Sequence, residues 1–236
     1  MCSEIPKDRI HTLYLSESFS KTKEGKALRE GVKHIELVTD EVFKSLSDTQ
    51  TPQGILALVK QYHYTLEEVA GGSRKCAQAE NLQEKPALLM VLETIQDPGN
   101  LGTILRAGEG AGVTGIVMDA NTADIYNPKV IRSTMGSVFR VPFYYTDDLE
   151  QTVLDLKARG IRVFAAHLAG KNNYEQEDYT GNTAFLIGNE GNGLTEKLSN
   201  LADTWVKIPM AGKVESLNAA IAASILMFET ARQRRA

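Results

Sequence analysis

Cysteine is nearly absent from this chain. Cys2 and Cys76 are the only two in 236 residues, too few and too far apart for a disulfide framework or a cysteine-built metal site. The four histidines, His11, His34, His63 and His167, lack metal-ligand spacing, and all six side chains read as non-catalytic. No leader is visible, since "MCSEIPKDRI" has no apolar stretch, and no run of about 18 apolar residues occurs that could span a bilayer. A soluble, cytoplasmic protein without metal or membrane is therefore expected. An excess of positive charge is missing too. With 26 Lys and Arg against 30 Asp and Glu, the net charge is -4, which argues against nucleic acid as a partner on composition alone. One local exception stands out: residues 125–146 hold Lys129, Arg132 and Arg140 and no Asp or Glu.

What is present is enough apolar material, 42% of the chain, to bury one or two cores. The compositional break is "AGGSRKCAQAENLQEKP", residues 70–86, where Gly-Gly-Ser and polar residues interrupt the apolar periodicity. It divides the chain into an N-terminal domain (1–70), a linker (71–85) and a larger domain (86–236). Before the break, "HTLYL", "HIELV" and "GILALVK" read as strands, with helices near 23–31 and 40–47. After it, "ALLMVLE", "GIVM", "RVFAAHL", "TAFLIG" and "TWVKIP" read as strands, separated by helices near 101–111, 128–136 and 149–159. Alternating β and α predicts a parallel sheet.

Four stretches call for a closer reading. "GEGAG", 108–112, has the glycine spacing of a dinucleotide loop, but a phosphate-cradling loop follows a strand and opens a helix. Here the periodic residues Leu101, Ile104 and Leu105 come first, which predicts a helix C-cap and tight turn. Ahead of that helix, "ETIQDPGN" is a polar turn in which Asn100 is placed to cap, with Arg106 six residues on. Six residues advance about 600°, so the two side chains leave the helix on different stripes and share a site only because Asn100 sits at its start. "FLIGNEGNGL", 185–194, breaks a strand into three glycines, two asparagines and one glutamate. Finally "WVKIPMAGKVESLNAAIAASILMFE" runs from a strand through a turn into a helix. Its first turn is expected to present Glu215, Ser216 and Asn218, with Leu217, Ile221, Ile225 and Phe228 as the apolar face.

Taken in order, "NLGTILRAGEGAG", "FLIGNEGNGL" and "IPMAGKVESLNAAIAASIL" resemble the three signature motifs of the SpoU/TrmH family of RNA ribose 2'-O-methyltransferases, in the SPOUT superfamily. "DTQTPQGILALV" looks like the end of that family's N-terminal RNA-binding domain; the chain starts abruptly relative to the family, so this small α/β domain reads as truncated. The resemblance implies an α/β fold whose parallel sheet ends in a C-terminal trefoil knot. It implies S-adenosylmethionine as cofactor, RNA as partner with ribosomal RNA favoured over transfer RNA, and a homodimer. The cofactor would lie against Gly188, Gly191, Ile208, Pro209, Met210 and Leu217. Arg106, Asn100, Glu190, Ser216 and Asn218 would form the catalytic set, and Lys129 and Arg132, in an N-P-K…R…M-G segment, would touch RNA. Arg106 is expected to position and stabilise, since a guanidinium stays protonated in ordinary settings; the proton acceptor is left open between an RNA phosphate oxygen and Arg106 itself. Two alternatives accompany this reading: an inactive SPOUT-type RNA-binding protein and a transfer RNA substrate. The misplaced "GEGAG" disfavours a nucleotide-dependent dehydrogenase.

Overall fold

The structure is a computed structural model and describes residues 5–71 and 85–235. The cysteines and nearly all of the expected linker lie outside the described residues. The chain divides into two compact units, Met1–Tyr62 and His63–Ala236.

In the first unit, strand β1 (Ile10–Ser16) leads through helices α1 (Glu17–Ser20) and α2 (Lys23–Arg29) to β2 (Ile35–Val38), α3 (Asp40–Leu46) and β3 (Ile55–Val59). The sheet order is β2-β1-β3, with β2 parallel and β3 antiparallel to β1. Ser16, Thr22 and Thr39 each cap the helix that follows by accepting a backbone N–H, which satisfies one of the donors a helix start leaves open. Leu13, Leu15 and Phe43 form the buried centre.

The second unit opens with α4 (Leu66–Ala70), closed by a capping box between Thr65 and Glu68. It continues β4 (Leu88–Leu92), α5 (Pro98–Ala111), β5 (Gly115–Asp119), α6 (Pro128–Thr134), β6 (Phe143–Thr146), α7 (Leu149–Ala158), β7 (Arg162–Ala166), β8 (Asn172–Asn173), β9 (Thr183–Ile187), α8 (Glu196–Asn200), β10 (Thr204–Lys207) and α9 (Ala219–Gln233). The seven strands run in the order β6-β5-β4-β9-β7-β10-β8, and every neighbouring pair is parallel. β4 and β9 are buried at all five positions, as strands covered on both faces must be. One face packs Leu89, Val91, Ala184 and Leu186 against Val69, Val153, Leu156 and Leu198 of α4, α7 and α8. The other presents Phe164 and Phe185, which stack with Tyr179. There the guanidinium of Arg234, just past α9, donates to the carbonyls of Tyr179, Ala87, Pro86 and Gly181. That arginine ties the last helix to the starts of β4 and β9.

The chain lays down β4, β5 and β6 outward, then returns to the other side of β4 and inserts β9 between β4 and β7. Such a reversal opens a crevice beyond the carboxyl ends of the strands, where parallel sheets place their ligands.

Several expectations are corrected. α4 packs into the core of the second unit, so residues 63–70 belong by packing with the larger unit and not with the first. β6 and β8 carry too short an alternation to be read from sequence; β6 is placed by its neighbour β5. The cap of α5 is Asp97, whose carboxylate accepts the Asn100 N–H, with Pro98 as the first helical residue. α9 begins only at Ala219, capped by Asn218, so Glu215 and Ser216 precede it. Its small residues Ala219, Ala220 and Ala223 are buried with Leu226 and Met227, while Ile221 and Phe228 are 52% and 46% exposed. Small side chains let α9 pack closely on α5, which turns the larger ones outward. The turn at "GEGAG" is as expected: Gly112 ends α5 at φ 85°, a left-handed conformation glycine adopts without a Cβ penalty.

Candidate active site

Beyond the carboxyl ends of β7, β9 and β10 lies a cavity of about 350 Å3, inside the roughly 300–1,000 Å3 range of small-ligand sites. Each strand delivers a loop to it: His167 and Leu168 after β7, Gly188 to Leu194 after β9, and Ile208 to Leu217 after β10. Ile187, Ile208, Met210, Leu217 and Leu226 give it apolar walls, while Glu190, Lys207 and Glu215 bring charge to its lining. Of the expected pocket residues, Gly188, Gly191, Ile208, Met210 and Leu217 line the cavity, as do Glu190 and Ser216. Pro209 does not; it is exposed while both its neighbours face in.

The glycine-rich loop is tightly folded. Asn189 and Gly193 pair through both their N–H groups, at 3.1 and 2.9 Å, so the chain doubles back over Gly188. A Cβ on Gly188 would stand 2.2 Å from the Gly193 carbonyl carbon and the Leu194 nitrogen, and no real Cβ sits so close to backbone. The Asn189 side chain fastens the loop: its Nδ2 donates to the Thr94 carbonyl at 2.8 Å, and its Oδ1 accepts the N–H groups of Gly191 and Asn192. Thr94 holds φ 55°, a costly conformation for a β-branched residue, and is braced by Asp119 through its N–H and hydroxyl.

Glu190 joins this loop to the start of α5. Its carboxylate accepts the N–H groups of Gln96 and Asp97, each at 3.2 Å, and the Asn100 amide at 2.9 Å. Asn100 Oδ1 in turn accepts from Asn218 Nδ2 at 2.9 Å, and Asn218 Oδ1 caps α9. Because Asp97 caps α5, Asn100 has its side chain free for this relay. Three segments far apart in sequence are thus connected by one chain, Glu190–Asn100–Asn218. Burial by itself would raise the Glu190 carboxyl, but the Asn100 amide and the backbone N–H groups of Glu190, Asp97 and Gln96 outweigh it and hold the group below its usual 4.5.

The cationic residues expected to meet RNA, Arg106, Lys129 and Arg132, stand apart from the cavity lining. Arg106 is exposed on α5 and makes no hydrogen bond or ion pair with a described residue. Lys129 and Arg132 are exposed on α6, Lys129 lying 3.9 Å from Asp97. Arg140, the third positive charge of 125–146, is already engaged: it pairs with Glu109 of α5, which also accepts from Ser137 Oγ. The acid-free stretch in sequence is therefore partly neutralised in space by a helix from elsewhere.

Sequence reasoning missed Asn189 as the fastener of its own loop, and His167, whose ring stacks on Trp205 at 4.3 Å and lines the cavity. The signal for His167 was its place just after a strand of a parallel sheet. Among the described residues, no group of three or more His, Cys, Asp or Glu could hold a metal ion, and no helix is long and apolar enough to cross a membrane.

The model of the SpoU rRNA Methylase family matches residues 87–228, and that for RNA 2'-O ribose methyltransferase substrate binding matches residues 4–65. The chain is 32% identical over 192 residues to the Bacillus subtilis 23S rRNA (guanosine(2553)-2'-O)-methyltransferase RlmP, covering 81% of this chain and 70% of that protein. Its fold is similar to the SpoU methyltransferase AviRb of Streptomyces viridochromogenes in complex with the cofactor AdoMet, with TM-score 0.82, 27% identity, and coverage of 96% of this chain and 84% of that one. It is also similar to the AdoMet-bound rRNA methyltransferase of Sinorhizobium meliloti, with TM-score 0.77, 30% identity, and coverage of 95% and 80%.

Proposed function

The chain belongs to the SpoU rRNA methylase family, and from that membership we propose that it methylates a ribose 2'-hydroxyl of ribosomal RNA, with S-adenosylmethionine as methyl donor. The observation that carries the reading is the joining of the three motif segments, through Glu190, Asn100 and Asn218, at the rim of one cavity. The cavity suits the donor: apolar walls from Ile208, Met210 and Leu217 for a purine, a turn at Gly188 with no side chain in the way, and polar groups at the edge. The donor supplies an activated methyl on a sulfonium. The protein must hold the 2'-oxygen in line with it and help its proton leave.

In this proposal Gly188, Gly191, Ile208, Met210 and Leu217 hold the adenosine end, and Pro209 stiffens the turn without touching it. Glu190 fixes Asn100, and Asn100 fixes Asn218, so the polar edge is set before RNA arrives. Ser216 sits in the lining, two residues before Asn218 in the chain. Arg106, outside the cavity and without a polar partner among the described residues, reaches the incoming ribose or its phosphate. Its guanidinium stabilises charge at the oxygen, and an RNA phosphate oxygen takes the proton. Lys129 and Arg132 meet phosphates further along the strand. Ribosomal RNA is favoured over transfer RNA because residues 4–65 match a substrate-binding module and a relative at 32% identity is named for action on 23S rRNA. The proposal includes the trefoil threading of the C-terminal segment implied by the family, work in the cytoplasm, and a homodimer. The outward stripe of Ile221 and Phe228, seven positions apart on α9, supports the homodimer.

Two measurements test this reading. Ribose methylation mapped by mass spectrometry in ribosomal and transfer RNA, with and without the gene, should lose one 2'-O-methyl group in ribosomal RNA. Loss confined to transfer RNA, or no loss, would overturn the substrate. Light scattering should give twice the monomer mass at micromolar concentration, and a monomer would remove the dimer.

Replacing Lys129 and Arg132 together by Gln should lower RNA affinity and flatten its logarithmic salt dependence by roughly two units of slope, about one per phosphate contact. Cofactor affinity should not change. An unaltered salt slope would return both side chains to solvent.

Acid should loosen the site in a defined window. Glu190 has a folded pKa below its unfolded 4.5, so its contribution is fully present above 4.5 and is lost as pH falls through the lower folded value. Cofactor affinity should be flat from neutral pH down to about 4.5 and decline below it, and Glu190→Gln should remove that decline. A variant with the same acid profile as the parent would show that another group governs it.

A further inference from the structure

The N-terminal unit holds a second concave surface. The end of β1, the starts of α1, α2 and α3, and the turn before β3 enclose about 450 Å3, again the size of a small-ligand site. Phe43, buried, and Phe19, half-buried, give it an aromatic side. Two hydroxyls at its edge are committed to the fold: Ser16 Oγ accepts from Phe19 N, while Thr22 Oγ1 accepts from Gly25 N and donates to the Phe19 carbonyl. What remains at the mouth is Asp40, Lys44 and Gln53.

Asp40 receives the Ser18 hydroxyl at 2.7 Å and the Ser18 N–H at 3.3 Å, both on Oδ1. A carboxylate offers about four acceptor sites, so it can take further donors. Lys44 and Gln53 are exposed and make no hydrogen bond or ion pair with a described residue. These groups narrow the ligand. An anion alone would meet the Asp40 charge, and a purely apolar group would use neither Asp40 nor Gln53, which stand exposed at the mouth. A flat heterocycle with a donor edge fits both halves: its face against Phe19, its amino group to Asp40, its remaining polar edge to the Gln53 amide, and the attached phosphate to Lys44. Unpaired bases of RNA are read in this way, by stacking on aromatic side chains and hydrogen bonding at their edges.

We propose that this cavity receives one unstacked nucleobase of the substrate RNA, an amino-bearing base (cytosine, adenine or guanine) and not uracil. The inference rests on the proposed function, which makes RNA the substrate, and on the match of residues 4–65 to a substrate-binding module.

Fluorescein-labelled hexamers of cytidylate, adenylate and uridylate, titrated against the full chain and followed by anisotropy, test it. The cytidylate and adenylate hexamers should bind about tenfold more tightly than the uridylate one, within the range a good edge contact gives. Asp40→Asn, which can still accept from Ser18, should bring the three within about twofold of one another. Lys44→Gln should weaken all three alike. A second measurement needs no variant: a hexamer carrying 6-thioguanosine, photocrosslinked to the unaltered chain, should label the tryptic peptides 10–21, 34–44 or 45–60, which hold Phe19, Asp40 with Phe43, and Gln53. Equal affinities for the three hexamers, discrimination that survives in Asp40→Asn, or crosslinks confined to other peptides would each overturn the proposal. S-adenosylmethionine titration of the same preparation keeps the two readings apart, since donor binding without base discrimination removes this cavity alone.

Discussion

Replacing Arg106 by alanine is expected to lower methyl transfer by roughly 100-fold or more while leaving S-adenosylmethionine affinity within about twofold of the parent. The guanidinium has no described partner in the protein, so nothing in the fold is lost with it. It is exposed on α5 and absent from the cavity lining, so the donor's adenosine pocket does not need it. On the proposed function, what disappears is a charged donor to the reacting 2'-oxygen, and a factor of about 100 corresponds to about 2.7 kcal/mol of transition-state stabilisation. Single-turnover methylation of the cognate RNA, with calorimetric titration of the donor alongside, separates the two quantities. Arg106→Lys should recover little, because a point charge does not reproduce the planar fork. A variant that turns over like the parent would refute the assignment. One that loses donor binding and activity together would place Arg106 in the cofactor pocket instead.

Gly188→Ala should have the opposite signature, with donor binding lost first. The added methyl would meet the Gly193 carbonyl carbon and Leu194 nitrogen at 2.2 Å. Backbone cannot rotate away as a side-chain tip can. The Asn189–Gly193 pairing must open, and with it the position of Glu190 and its bonds to Gln96, Asp97 and Asn100. Overpacking of this kind costs typically about 1–3 kcal/mol, occasionally more, spent on the loop that walls the cavity. Donor affinity should fall at least about tenfold in calorimetry, with activity at saturating donor less affected than in the Arg106 variant. Gly191→Ala should lower donor affinity less, because the nearest atom to a Cβ there is the Asn189 side-chain oxygen at 3.4 Å. If both glycine variants bind the donor like the parent, the loop does not close the cofactor site.

Most of the elements were legible because their signals are local. β4 and β9 are continuous apolar runs, and a strand buried on both faces has no other way to appear in sequence. α5 was legible from Leu101, Ile104 and Leu105 and from Gly112 at its end. The motif segments were legible for a different reason: residue types that pack poorly, "GNEG" and "ESLN", interrupt good core sequence, and their resemblance to known motifs carried what periodicity could not.

Other features depended on contacts between distant segments. The cap of α5 was misplaced by three residues because Asp97 and Asn100 are equally good caps in sequence. In the fold Asp97 takes the cap, while Asn100 donates its amide to Glu190, ninety positions away, and accepts from Asn218 with its oxygen. The outward side of α9 was misjudged because helical periodicity finds a stripe without saying what covers it; Ala219, Ala220 and Ala223 win the inner side since close approach to α5 needs small residues there. The positive character of 125–146 was altered by Glu109 reaching Arg140 from another helix. Local sequence was enough for the two-part α/β composition, the order of strands along the chain and the residue types at the site. Tertiary structure alone decided the strand order β6-β5-β4-β9-β7-β10-β8 and therefore which loops meet beside β9. It also decided which asparagine caps a helix and which serves Glu190. Hydrogen-bond partners and burial are properties of pairs of segments, and a single stretch of chain specifies only its own half of each pair.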